Sequence, residues 1–307
     1  MEKRMNLARL EYFRAVGRTQ HVTQAALQLG ISQPALSRSI SALESEVGIP
    51  LFERRGRSLS LTPDGKVFLD YIERAFRIIE DGYDELGDRN EAGRGSVSIG
   101  FLRSLSHIFI PQLVSRFRAV HPDAQISFFQ SNSDGLEDEM KRGRLDLIFV
   151  ARIRDTGSFT WVELGTQEIH LVVPSTHPIA AQESVSLAEV KDEPFISFRP
   201  GHAFRILADA VFRSAGLTPK IAFECDDGTY LMTYVAAGLG IALVPPNYIT
   251  PDGFKIVRLA SPHARRSIGV AWQNGRYLNK SATAFLEIAR AAIRPDMTFA
   301  PTTESAR

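Results

Sequence analysis

Leu7, Leu10, Phe13 and Val16 recur three residues apart and form one face of a helix, which Gly17 and the residues after it are expected to end. Thr23 is placed to cap a second helix, its hydroxyl accepting an otherwise unpaired backbone N–H. Ala25, Ala26 and Leu29 make that helix's inner face, and Gly30 fits its C-terminal cap. Ser32 can cap a third helix, and Pro34 suits its first turn, where no N–H is missed. Leu36, Ile40, Leu43 and Val47 follow at spacings of four, three and four. Two helices joined by a short glycine-containing turn resemble a helix-turn-helix.

With the apolar face set aside, the third helix turns Ser32, Gln33, Ser37, Arg38 and Ser41 outward. Short donors and acceptors of this kind suit base reading in a major groove. Leu59 and Leu61 then alternate with Ser58 and Ser60, as in a strand, and Gly56 supplies a tight turn. The result is a hairpin carrying Arg54, Arg55 and Arg57, three guanidinium groups suited to phosphate or minor-groove contact. A solvated hairpin is the alternative, and the helix-turn-helix directly before it favours DNA.

From Pro63 to about Arg89 one long helix is expected. Phe68, Ile72, Phe76, Ile79, Tyr83 and Leu86 form an apolar stripe that Tyr71 and Ala75 widen. The stripe could pack on the preceding domain or pair with a partner's helix. It is longer than a small domain usually covers, so we expect dimerisation.

After residue 92 strands and helices alternate, the mark of an α/β domain, and Gly93 and Gly95 suggest a hinge. Ser96–Leu102, Ala124–Gln130 and Asp146–Ala151 are expected strands, with helices around Ile110–Phe117 and Leu136–Arg144. This βαβαβ order predicts a parallel sheet. A second similar unit runs through 169–174, 203–215, 220–225 and 230–244, and Ser267–Gln273 and Ala282–Ile293 return to the first.

Residues 5–66 resemble the N-terminal domain of LysR-type transcriptional regulators. The matching positions are Thr23, Ala25, Ala26, Leu29, Ser32, Gln33, Pro34, Ala35, Ser37, Ile40, Leu43, Glu44, Gly48, Leu51, Phe52, Arg54, Leu61, Thr62 and Gly65. Gln24 and Ser39 depart from the family's common basic residue and Gln, which bears on phosphate contact and sequence preference. Asp146-Leu147-Ile148 and Gly238–Pro245 carry the family character of the C-terminal half, which is similar to periplasmic solute-binding proteins.

The resemblance implies a multidomain protein with a winged helix-turn-helix at 1–66 and a linker and dimerisation helix at 67–91. An α/β effector domain follows at 92–295, with subdomain I at 92–165 and 268–295 and subdomain II at 166–267, and then a tail at 296–307. It implies a homodimer or homotetramer on an interrupted inverted repeat of double-stranded DNA, with RNA polymerase a candidate further partner. It adds Thr23, Pro34 and Thr62 to the DNA-contacting set.

Ligands of open α/β sheets sit beyond strand C-termini, against helix N-termini. Those positions offer Arg103, Ser104 and Ser106; Gln130, Asn132 and Ser133; Phe198, Arg199 and His202; and Asp226 and Thr229. Arg103, Arg199 and His202 favour a carboxylate or another anion. Asp226 and Asp227 argue against a purely anionic site, and suit an amine or Arg199. Each residue could instead simply cap its helix.

Composition alters one part of this picture. The 307 residues carry 36 Lys and Arg against 35 Asp and Glu, a net charge of +1, which taken alone speaks against a nucleic-acid binder. The charge is segregated: +4 over residues 1–66, −5 over 67–91 and +2 over 92–307. A modestly basic head is masked by an acidic helix.

The 44% hydrophobic and 23% charged shares exclude disorder and collagen. Cys225 is the single cysteine, so no internal disulfide forms. No signal-peptide core or membrane-length apolar run is evident, so a cytoplasmic location is expected. No Walker loop, GxSxG elbow or paired-His zinc motif is present, so no catalytic residue, cofactor or metal is expected. The competing reading is a small-molecule-binding or enzymatic α/β protein whose helix-turn-helix serves protein interaction.

Overall fold

The computed structural model describes residues 6–55, 58–89, 95–106, 109–151, 157–245 and 252–292. Gly56 and Arg57 of the expected wing, Gly93 of the expected hinge and the 296–307 tail lie outside them. Contacts divide the chain into two compact units, Met1–Gly87 and Asp88–Arg307.

The first unit comprises α1 (Leu7–Thr19), α2 (Val22–Leu29), α3 (Gln33–Val47), β1 (Phe52–Arg55), β2 (Ser58–Leu61) and α4 (Pro63–Arg89). Its core is built from the expected apolar faces: Phe13, Val16, Ala25, Leu36 and Leu51 are fully buried. Phe13 holds Phe52 and Phe68 at ring distances of 5.4 and 5.3 Å. Gly30 ends α2 at φ +66°, a left-handed conformation that favours glycine. Strands β1 and β2 pair antiparallel from Phe52–Leu61 to Arg55–Ser58. The Glu44 carboxylate fixes the entry to that hairpin by accepting the N–H groups of Leu51 and Phe52 at 2.8 and 3.0 Å.

Three local expectations are corrected. Helix α1 runs through Gly17, which lies against Leu69 of α4: a Cβ there would meet that side chain at 3.0 Å. Thr23 lies inside α2, because the helix starts at Val22 with His21 in the cap position and no side-chain cap bond. Thr62 is buried, its hydroxyl donating to the Pro50 carbonyl and accepting the Gly65 N–H, both at 2.9 Å. Its role is to hold the start of α4, so it is not presented for DNA contact.

Helix α4 buries only part of its stripe in its own unit. Leu69, Ile72 and Phe76 are buried in the first unit's core. Glu73 is buried with them and takes two hydrogen bonds from Arg18, at 2.6 and 2.5 Å. Past Phe76 the apolar residues Ile78, Ile79, Tyr83 and Leu86 are exposed.

The second unit begins β3 (Ser96–Leu102), α5 (Phe109–Val120), β4 (Gln125–Ser131), α6 (Ser133–Lys141), β5 (Leu147–Val150) and β6 (Phe159–Glu168). It continues with β7 (His170–Pro174), β8 (Ser184–Val185), β9 (Pro194–Phe198), α7 (Ala203–Ser214), β10 (Lys220–Cys225) and α8 (Gly228–Ala236). It closes with β11 (Ala242–Val244), β12 (Phe254–Leu259), β13 (Arg265–Gln273) and α9 (Lys280–Ala291).

The first sheet has the order β4-β3-β5-β13-β6. Its β3, β4 and β5 are parallel, as the βαβαβ order requires, but β13 runs antiparallel to both β5 and β6. The expected parallel sheet is therefore mixed, because β6 and β13 are long strands that carry the chain out and back. A second sheet, β11-β7-β12-β8, lies beside the parallel pair β9–β10, with a bridge between Phe195 and Ile241 joining them. Each sheet has its own buried apolar core, one drawn from residues 97–164 and 268–292, the other from 169–264. Buried Asp146 accepts from Arg276 at 2.6 Å and from the Ser98 N–H at 2.7 Å, which ties β5 to β3 and to the chain after β13. No helix among the described residues is long and apolar enough to cross a membrane.

Candidate functional site

Ser32 starts α3, its hydroxyl accepting the Ala35 N–H at 3.4 Å, with Pro34 in the first turn. Gln33, Ser37, Arg38 and Ser41 are exposed on the face opposite Leu36, Ile40 and Leu43. Arg38 makes no hydrogen bond or ion pair among the described residues, which leaves a guanidinium available to an external partner. Arg54 and Arg55 lie on β1, while Arg57 lies outside the described residues. Thr23 is exposed on α2.

The second unit holds a cleft of about 1010 Å³ between its two cores. It is walled by Arg103 and Ser104 after β3, by Gln130, Asn132, Ser133 and Asp134 from the end of β4 to the first turn of α6, and by Phe198 and His202 before α7. Asp226 and Asp227 before α8, and Arg266 on β13, complete the wall. Three helix N-termini open onto it, each already capped. Asn132 Oδ1 accepts the Gly135 N–H at 2.9 Å, His202 Nδ1 the Phe204 N–H at 3.1 Å, and Asp227 Oδ1 the Thr229 N–H at 2.7 Å. Ser106, Arg199 and Thr229 do not reach the wall. The Ser106 hydroxyl turns back to the Arg103 carbonyl, and Arg199 pairs with Asp226 at 3.2 Å where both are largely exposed. Thr229 is exposed two residues past the cap.

Arg266 was not reached by sequence reasoning. Its Nη2 donates to Ser104 Oγ at 2.5 Å, and Nε and Nη2 both donate to Gln167 Oε1 at 2.9 and 2.6 Å. Gln167 and Arg266 are cross-strand neighbours on β6 and β13. Ser104 and Gln167 are buried, so the guanidinium joins a loop of the first half to both long strands. The available signal was the pair Arg265-Arg266 directly before an apolar run, but the strand was expected to begin at Ser267.

Burial pushes the His202 imidazole below its ordinary value, and Arg266 adds to that effect; Asp226 and Asp134 oppose it. With Nδ1 accepting a backbone N–H, the neutral ring carries its proton on Nε2. The ring lies flat on Phe198, centroids 4.2 Å apart. Burial likewise raises the Cys225 thiol above its ordinary range, so the side chain is not built for thiolate chemistry. No cluster of metal-ligating side chains occurs among the described residues.

A helix-turn-helix with an exposed polar face and a polar cleft on one chain point to a ligand-responsive DNA-binding regulator. Residues 7–66 match the bacterial regulatory helix-turn-helix proteins of the lysR family, and residues 90–294 match the LysR substrate binding domain. The HTH-type transcriptional regulator YybE of Bacillus subtilis (strain 168) is 38% identical over 283 residues, 92% of this chain and 97% of that protein. The transcriptional dual regulator GltC of the same organism is 31% identical over 92% of this chain and 96% of its own. Among solved structures, CbnR, a LysR family transcriptional regulator, superposes with a TM-score of 0.74 at 21% identity, covering 94% of this chain and all of that one. The effector binding domain of QuiR in complex with shikimate gives 0.61 at 25% identity, covering 66% of this chain and 98% of that one. The chain belongs to the LysR family of DNA-binding transcriptional regulators, a non-enzymatic family with an effector-binding domain.

Proposed function

We propose that this regulator acts in the cytoplasm and is switched by a small polar metabolite bearing a carboxylate, held in the cleft of the second unit. The observation that carries this reading is the Ser104–Arg266–Gln167 array, a buried hydroxyl met by a partly buried guanidinium at the cleft wall. A carboxylate there would accept charge-assisted hydrogen bonds. QuiR, a relative of the effector domain, binds shikimate.

Gln33, Ser37, Arg38 and Ser41 read bases, with Ser32 and Pro34 setting the start of the helix, and Arg54, Arg55 and Arg57 contact the DNA backbone. The exposed stretch of α4 from Ile78 to Leu86 pairs two copies. Effector binding shifts the equilibrium between two arrangements of the cleft halves, only by its differential affinity for them. The outcome is a changed spacing of the paired DNA-binding domains. A thermal-shift screen of carboxylate metabolites on the full chain tests this, with Ser104→Ala expected to weaken the hit roughly tenfold. A ligand indifferent to that change would place binding elsewhere.

A further inference from the structure

The cleft wall holds five carboxylates, Asp134, Glu137, Glu163, Asp226 and Asp227, against the two guanidinium groups of Arg103 and Arg266. His202 adds no cation near neutral pH, since its imidazole titrates below its ordinary value. A ligand that is only an anion would enter a wall of its own sign, which is unfavourable. A ligand that is only a cation would leave the Ser104 and Arg266 donors facing an unsuitable partner.

The two signs also line the same cleft. Arg266, Asp134 and Asp226 all act electrostatically on the one imidazole of His202, which caps α7 at the cleft. Asp134 and Glu163 make no hydrogen bond or ion pair among the described residues. Asp227 is engaged with Arg103 at 3.1 Å, and Asp226 with Arg199. Trp161, also on the wall, buries an indole N–H that has no partner among the described residues.

We infer that the effector is an amino acid, its carboxylate at Ser104 and Arg266 and its ammonium group at Asp134. This rests on the reading of the cleft as the effector site and narrows it to a ligand of both charges. Phe159, Trp161, Phe204 and Leu207 line the same cleft and leave an apolar surface for the side chain.

The test uses the full-length chain and the twenty proteinogenic amino acids singly at millimolar concentration, read by thermal shift and then by calorimetry. Each hit is compared with its deaminated 2-oxo acid and its decarboxylated amine. The expected result is a stabilising amino acid whose two truncated relatives each bind about tenfold or more weakly, the loss of one charged hydrogen-bonded contact. Asp134→Asn should weaken the amino acid by a similar factor while binding the 2-oxo acid at least as tightly as wild type does, since a like charge has been removed from the wall.

A 2-oxo acid that binds as tightly as its amino acid overturns the inference and leaves the cleft reading standing. So does a Ser104-dependent carboxylate metabolite when no amino acid stabilises the chain. Equal affinity of wild type and Asp134→Asn for the amino acid also overturns it.

Discussion

Arg103 Nη1 and Asp227 Oδ2 stand 3.1 Å apart, joining the loop after β3 in one half of the second unit to the cap of α8 in the other. Both residues line the cleft, and Asp227 also accepts the Thr229 N–H. The arginine is more than half exposed, so salt screens the attraction. Arg103→Ala should therefore lower stability by no more than about 1 kcal/mol. It should also speed amide exchange over the first turn of α8, and both effects should fade at molar salt. Unchanged exchange at Gly228–Leu231 would show that the halves are held without this pair.

Glu73 presents a contrasting ion pair. Its carboxylate is buried in the first unit, and Arg18 meets it with two hydrogen bonds. Arg18→Ala removes those two bonds from the buried carboxylate, and because the arginine is half exposed and screened by solvent the cost should be about 1–2 kcal/mol in urea unfolding. A loss below half a kcal/mol would mean that other partners already satisfy Glu73.

Gln33 and Arg55 should separate base reading from backbone contact. Gln33→Ala should cost about 1–3 kcal/mol at one base position and relax preference there. Arg55→Ala should weaken all DNA alike and reduce the salt slope by about one. Binding measured across single-base operator variants at several salt concentrations distinguishes the two, and exchanged outcomes would reverse the assignments of α3 and the hairpin.

His202 should impose a pH dependence on stability. Its folded-state value is lowered, so below its ordinary value of 6.5 the unfolded chain binds more protons than the folded one. The neutral ring's contribution is complete above that value and is lost as pH falls from there through the lowered folded-state value. His202→Asn keeps a capping side chain without a titrating ring. Wild type should lose melting temperature relative to this variant between pH 7.5 and about 5.5; a constant difference would falsify the assignment.

Cys225 should resist alkylation at neutral pH in the native protein and react only in denaturant, because burial disfavours its thiolate. Native-state labelling followed by mass measurement checks this, and rapid labelling would contradict the raised value.

The helix-turn-helix was legible because its signals are local. The apolar spacings of α1 and α3, the left-handed Gly30 and the Ser32 cap each act within a few residues. The cleft was legible only in its loops. Strand β12 has the alternation of a strand in Val257 and Leu259 but is too short and mixed a run to stand out, and β6 mixes polar residues into a strand at the sheet edge. Without those two strands, neither the antiparallel course of β13 nor the Arg266–Gln167 pairing could be inferred. The pairing joins residues 99 positions apart in the chain, and no local pattern encodes it. Thr62 shows the opposite error, because its motif position did not reveal that its hydroxyl was already used within the fold.

Arg266 grips Ser104 from a strand that itself carries the chain between the halves. With the effector held as proposed, recognition and transmission share one side chain there, and altering it should change both what is sensed and how firmly the halves are coupled. Asp134 lies on neither long strand. Retuning this regulator to a new inducer should begin at Asp134, whereas variants that signal without any inducer should collect at Gln167 and Arg266.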